Sequence, residues 1–418
     1  MEARAHMRKP RRRGARSDGG RLVAAVGLSS AGDTLALIPL AALISAQTGS
    51  GFAVGALLAA LWAPMVFLSP LAGWLADRFE TTRLLLIVSL LQAVVAASFV
   101  LALGSVGAII AVAALLGSGH AVAQAAEFSL APSIAAGERL KRLNGRVEAA
   151  RYLGMTAGPA AGGALAAAGG TEIALIANAA TFLFVASVTR SMRVRRRPRA
   201  VDEPDGPNAG EGFSVLFAPA LRLVMTVAAL SLFLMTAVWT AEPFFARDVL
   251  GGNDLTYGLL MSAWTLGMAV GAIGLAARVP ARAMVATTLA MIALQGAGIL
   301  APAILLSIPF ALGIYVIGGL AHGTKNTLIR TLIHERVPAA CHGRAAAAYN
   351  ALRNGAELLA LGAGGLMVAE LGPRSTMALS GALPMALALA ALATLWLADR
   401  AGLPGRRQAL RPLPEESV

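Results

Sequence analysis

Of the ionisable residues inside long apolar stretches of this sequence, six stand out: Asp33, Glu127, Arg151, Lys325, Arg353 and Glu357. Charges in such surroundings are costly and by default functional: they carry protons, meet a charged solute or neutralise one another. Asp33 lies about twelve residues into its stretch. At 1.5 Å per residue that is roughly 18 Å deep, near the middle of a hydrocarbon core about 30 Å thick. A carboxylate there can carry a proton, hold a cation, or simply hydrogen-bond a neighbouring helix. Glu127 and Arg151 fall at matching depths, roughly 10 Å from one face, and are expected to pair as a gate, a coupling pair or mutual neutralisation. Lys325 and Glu357 share a depth near the middle and are expected to pair, with Asn326, Asn350 and Asn354 nearby. Arg353 competes for Glu357, and Lys325 could instead meet an anionic solute. His120 and His322 could move protons, although helix-packing hydrogen bonds suit them better. His334 and His342 lie near a polar loop, where water reaches them. Trp62, Phe67, Trp239, Tyr257, Trp264 and Tyr315 can line a cavity, or equally pack helices and anchor interfaces.

The elements that hold these residues follow from composition. The apolar set makes up 57% of the 418 residues and only 14% are charged, where soluble domains carry roughly 25% charge. The mean hydropathy is +0.69. A water-soluble enzyme is thereby excluded, and an all-α polytopic membrane protein is implied. A crossing helix needs roughly 20 apolar residues. Candidate spans fall near 22–46, 52–76, 82–103, 106–134, 146–169 and 172–190, then near 218–244, 255–277, 283–301, 303–334, 344–369 and 375–398. The expected organisation is a basic arm (1–21), a first six-helix half (22–190), a polar linker (191–217), a second half (218–398) and a tail (399–418). The linker is rich in Pro, Gly and charge, as flexible connections are. Alternate loops and the termini on one side hold 28 Lys and Arg residues, the opposite loops only Arg247 and Arg374. That asymmetry puts both termini and the linker in the cytoplasm of a cell whose inner (plasma) membrane the chain spans. The arm reads as a disordered topology anchor that meets anionic headgroups rather than as a cleaved signal. The basic clusters sit between apolar runs, so nucleic acid is not the expected partner.

The two sets of six are copies of one pattern. At an offset of 202, His120 aligns with His322, Gln124 with Asn326, Arg151 with Arg353, and Gly162-Gly163 with Gly364-Gly365. Matched halves joined by a linker are a transporter architecture with its site at the midplane. After span 2 the chain reads GWLADRFETTR, with Gly73, Asp77, Arg78 and Arg83. The glycine would let two helices approach, and the charges would bond a neighbouring helix end. Span 5 contains GMTAGPAAGG, with Gly154, Gly158, Pro159, Gly162 and Gly163. Small residues four apart make a flat packing face, and the proline bends the helix.

The first motif resembles the loop 2–3 signature of the major facilitator superfamily, G-x-L-a-D-R-x-G-R-R, departing from it at Glu80 and Thr82. In that family the acidic residue helps latch the halves on the cytoplasmic side. The second resembles the span 5 antiporter motif of the superfamily's exporters. With Gly32-Asp33, TLIHERVP and HGR (residues 331–338 and 342–344), the chain resembles the twelve-span drug:proton antiporter branch that includes macrolide efflux proteins and the enterobactin exporter. The resemblance implies a major facilitator fold of two pseudo-symmetric six-helix halves. It also implies a proton-coupled export of a drug-like or metabolite molecule, with an importer on the same fold as the alternative. The family's span 4 arginine is missing: LLGSGHAVAQAAEF offers His120, Gln124 and Glu127 instead. No cofactor is expected. There is no nucleotide-binding G-x-x-x-x-G-K-[ST] loop, no metal-ligand spacing and no convincing nucleophile set, and Cys341 is single, so no disulfide forms within the chain. One chain is expected to work as a monomer.

Overall fold

The computed structural model describes residues 12–135, 138–194, 214, 217–218, 221–337 and 342–400. Its helices in the first half are α1 (Arg12–Thr48), α2 (Gly51–Phe67), α3 (Ser69–Arg78), α4 (Thr81–Ala102), α5 (Val106–Ile134), α6 (Glu138–Gly169) and α7 (Thr171–Ser191). The second half contains α8 (Arg222–Thr236), α9 (Val238–Phe244), α10 (Asp254–Val270), α11 (Met284–Ile304), α12 (Ile308–Arg336) and α13 (His342–Arg400). Twelve passes result. Span 2 is α2 plus α3, broken at Leu68 just before Pro70. Span 7 is α8 plus α9, continued by a wide π turn over Phe245–Val249. Spans 11 and 12 are the two parts of α13, separated by the non-helical Gly372.

The ends of the helices are set by local chemistry. Ser50 and Ser105 accept the amides of Ala53 and Ala108 at the starts of α2 and α5, and Asn253 forms a capping box with Thr256 at the start of α10. Glu80, which departs from the loop 2–3 signature, caps α4 by accepting from Thr82 and Arg83 at 3.0 and 3.1 Å. The start of α1, the end of α7 and the end of α13 mark one end of the bundle, called here the terminal end. At the far end four glycines take left-handed backbone: Gly49 (φ 60), Gly170 (φ 86), Gly251 (φ 69) and Gly372 (φ 78). They turn spans 1–2, 5–6, 7–8 and 11–12, and each pair stands 202 residues apart. The repeat offset found from histidines and arginines therefore also governs backbone conformation.

Packing repeats with it. A Cβ on Gly117 would meet the Leu61 carbonyl, and one on Gly319 the Trp264 carbonyl, so spans 2 and 4 touch as spans 8 and 10 do. Large apolar side chains left open on the outside, such as Leu101 and Leu359, face where lipid tails would lie. Eight helical segments among the described residues are by themselves long and apolar enough to cross a membrane. Span 2 is broken, and α6 and α12 carry charge, which is why those passes read more weakly.

Two expectations change here. The last ten residues of the basic arm are helical, since α1 begins at Arg12. Asp18 is fully buried: it accepts the amides of Arg193 and Val194 at 3.0 and 2.9 Å and pairs with Arg21 at 2.8 Å. Thr82 donates to the Val194 carbonyl at 2.8 Å, so the exit of span 6 is held between the starts of spans 1 and 3. Gly73 is the second: nothing lies within 4 Å of a Cβ built there, so no close helix approach uses it. Most of the linker (195–213) and the tail (401–418) lie outside the described residues, as do residues 1–11.

Candidate functional site

The span 5 glycines place α6 directly on α1. A Cβ on Gly154 would strike the Gly27 carbonyl, one on Gly158 the Thr34 hydroxyl and Ala31 carbonyl, and one on Gly162 the Leu35 carbonyl. Gly163 turns the other way and meets Asp254 and Leu255 of α10, in the opposite half. Pro159 has no amide to give the carbonyl four residues back, at Met155. Thr265 of α10 donates to that carbonyl at 3.2 Å, and the Ala160 amide donates to Ser262 at 3.0 Å. The proline thus frees an acceptor that the other half satisfies. Pseudo-symmetric contacts join spans 2 and 11, where Gly365 meets Phe52 and Gly55 meets the Leu361 carbonyl. Arg247 adds a hydrogen bond to the Ala42 carbonyl at 3.1 Å and an ion pair with Asp254 at 3.5 Å. These contacts run from the far end to mid-depth. The far end is closed.

Inside the first half, Asp33 Oδ1 and His120 Nε2 are 2.9 Å apart, linking spans 1 and 4 near mid-depth. The ring of Phe182 flanks His120 with centroids 5.9 Å apart. Asp33 is therefore not a lone carboxylate. Two helical turns along α5, about 10 Å of rise, lead toward the terminal end to Glu127. Its carboxylate stands 3.7 Å from Arg151 Nη2, the expected pairing, while Glu148 takes Arg151 Nε at 3.2 Å. Sequence reading missed Glu148, although its spacing of one turn before Arg151 carried the signal.

The second half is arranged differently. Lys325 does not pair with Glu357. Its Nζ donates to Gln295 Oε1 at 3.0 Å, and Glu357 lies 3.8 Å from Arg353, one turn away on its own helix. A neighbour at i,i+4 needs no tertiary alignment, so it wins over a partner of equal depth on another helix. His322 Nδ1 lies 3.2 Å from Gln295 Nε2. The repeat-related histidines thus bond unlike partners, an acid in one half and an amide in the other.

A cavity of about 160 Å³ opens at mid-depth, lined among others by Trp239, Trp264, Lys325, Asn326, Arg353 and Glu357. A deeper pocket of about 40 Å³ shares Leu232, Trp239, Met261, Trp264 and His322 with it, and adds Glu242, Gln295 and Tyr315. Trp239 also meets Trp62 of the other half edge to face, with centroids 4.8 Å apart. Of the other aromatic candidates, Tyr257 is buried in the core and Phe67 is exposed outside. Glu242 is 5% exposed and was missed: AEPFF gave it no charged neighbour in sequence to draw attention. In the loop 2–3 motif Arg78 stacks on Trp74 at 5.4 Å, and the side chain of Asp77 lies outside the described ones. The side chains of His334, His342 and Asn350 do too. No group of three or more His, Cys, Asp or Glu suited to a metal occurs among the described residues.

Matched six-helix halves, with a mid-depth cavity lined mainly by the second, agree with what sequence comparison finds: the model of the Major Facilitator Superfamily matches residues 22–361. The chain belongs to that superfamily. It is a transporter, not an enzyme, and a multi-pass protein of the cell membrane. The chain is 26% identical over 400 residues to the multidrug efflux pump Tap of Mycobacterium tuberculosis, covering 90% of this chain and 94% of that protein. Tap of Mycobacterium bovis matches equally. The fold is similar to that of the peptide transporter POT (TM-score 0.70, 14% identity, 93% and 98% of the two chains). It is also similar to a bacterial homologue of the human lysosomal transporter Spinster in an inward-facing, unoccupied conformation (TM-score 0.66, 17% identity, 95% and 98%).

Proposed function

We propose that this major facilitator transporter is a proton-coupled exporter that exchanges protons for a drug-like or secondary-metabolite molecule by alternating access. The observation that carries the coupling is the Asp33–His120 contact at 2.9 Å. Protonating Asp33 removes the charge that His120 faces and loosens span 1 from span 4, so proton occupancy changes the packing of the half that must rock. Glu148, Arg151 and Glu127 extend the titratable groups from the terminal end toward that pair. The positive-inside asymmetry makes the terminal end cytoplasmic, so the closed far end is the outer side. The span 5 motif and the likeness to Tap support export. The site is complete within one chain, in keeping with a working monomer.

The test is accumulation of dyes and antibiotics in a host stripped of its own efflux pumps, comparing wild type with Asp33→Asn, with and without a protonophore. Wild type lowers accumulation of at least one compound, and both the variant and the protonophore abolish the effect. Inserted protein that moves nothing refutes polyspecific efflux, and gradient-driven uptake favours the importer.

A further inference from the structure

Gln92 is a buried amide with nothing to bond. It lies on α4 of span 3, 3% exposed, and its Nε2 has no hydrogen-bond partner among the described residues. Buried polar groups are nearly always satisfied, so an orphaned donor calls for a reason. The surface that buries it belongs to span 4. A Cβ built on Gly119 would fall 2.7 Å from Gln92 Cγ and 3.3 Å from Nε2. The next residue is His120. Its Nε2 faces Asp33 Oδ1 at 2.9 Å, and its Nδ1 has no partner among the described residues. A donor without an acceptor and a ring nitrogen without a partner therefore stand on neighbouring helices, one residue apart. The second half shows the completed arrangement. Gln295 falls within one residue of Gln92 by the 202 offset, and its Nε2 lies 3.2 Å from Nδ1 of His322, the repeat-mate of His120. There Lys325 donates to Gln295 Oε1 at 3.0 Å and so keeps the amide nitrogen turned to the ring. The residue aligned with Lys325 in the first half is Ala123, which holds no amide, so Gln92 is free to turn.

We propose that Gln92 is the positioning residue of the Asp33–His120 pair: its amide donates to His120 Nδ1 and holds the ring in the tautomer whose Nε2–H donates to the Asp33 carboxylate. Which ring nitrogen carries hydrogen is set by what the other one meets. An amide also offers an oxygen. When a proton binds Nδ1 and the Nε2 proton passes to Asp33 Oδ1, the ring ends neutral and Gln92 turns its Oε1 to the new Nδ1–H. Gln92 moves no proton itself; it keeps both states of the pair satisfied. The inference deepens the coupling proposed above and rests on that reading for its part in transport.

The experiment is solid-state nitrogen NMR of the full chain, isotope-labelled at its histidine rings, in lipid bilayers without a proton gradient and at a pH where the ring is neutral. Subtracting the spectrum of His120→Asn isolates the His120 signals. Wild type is expected to carry hydrogen on Nε2 and to have a bare, hydrogen-bonded Nδ1. Gln92→Met fills similar space without a donor, and the ratio of the two tautomers should fall about threefold to tenfold, as loss of one hydrogen bond between neutral groups implies. A residue that only filled space would leave the ratio where it was. Gln92→Glu offers an acceptor and should put hydrogen on Nδ1 instead, a reversal that a folding defect cannot imitate. An unchanged ratio in Gln92→Met overturns the proposal. So does a wild type with hydrogen on Nδ1, or a bare Nδ1 in Gln92→Glu. The ratio is read without transport, so a chain that fails the accumulation test can still show it. A proton-driven exporter whose His120 tautomers ignore Gln92 refutes this proposal alone.

Discussion

The closed far end depends on two glycines, one from each half, and adding a single methyl group to either tests whether that closure is one side of a two-state switch. A Cβ on Gly163 falls 2.5 Å from the Asp254 carbonyl oxygen and 3.0 Å from Leu255 Cα, and one on Gly365 falls 2.6 Å from Phe52 Cα. Ordinary contact begins at 3.4 Å, so spans 5 and 8 must part by about 0.9 Å, and spans 2 and 11 by about 0.8 Å, in an interior with little slack. The listeners to this clash are backbone atoms, which cannot rotate away as a side chain would. Overpacking of this kind costs about 1–3 kcal/mol, or roughly a five- to 150-fold loss in the population of the far-end-closed state. Gly158→Ala is the control. Its Cβ strikes Thr34 and Ala31 within the same half, so it lowers stability without favouring either state. Spin labels at Ala46 and Glu370, exposed positions at the far end of opposite halves, report the opening in a Cys341→Ser background. Gly163→Ala and Gly365→Ala should each lengthen that distance, and the double variant should lengthen it in a larger fraction of molecules. Unchanged distances in both, or the same lengthening in Gly158→Ala, would refute the reasoning.

Replacing Asp18 by Ala leaves the amides of Arg193 and Val194 without their acceptor, and should cost about 1–3 kcal/mol in stability. Thermal unfolding should show Asp18→Asn, which keeps an acceptor oxygen, falling between that variant and wild type. Arg353→Met strips Glu357 of its ion pair, whereas Lys325→Met removes an ammonium bonded to a neutral amide. The arginine variant should therefore melt at the lower temperature, because an uncompensated carboxylate is left behind; the reverse order would show that Lys325 is the true counter-charge of Glu357.

Twelve passes and two matched halves were legible in the residues, because a bilayer demands long apolar helices and a repeat leaves matched polar residues at a constant spacing. Charge depth was legible too, since rise per residue is fixed. It brought Glu127 to Arg151 correctly and Lys325 to Glu357 wrongly. Depth is one coordinate, and pairing needs the rotation of each helix as well, which only packing sets. For the same reason Asp33 could be placed at mid-depth but its partner His120 could not be selected, and Gln295 went unnoticed as the acceptor for Lys325. The two motifs divide in the same way. Gly73 looks like a contact glycine and touches nothing, whereas Gly163, 91 residues before the Asp254 it meets, bridges the halves. Pro159 was readable as a bend, yet that its orphaned Met155 carbonyl is taken by Thr265 of the other half depends on how the halves meet. Local rules of helix, cap and turn are written in neighbouring residues. Which carboxylate faces which cation is decided by surfaces brought together from opposite ends of the chain.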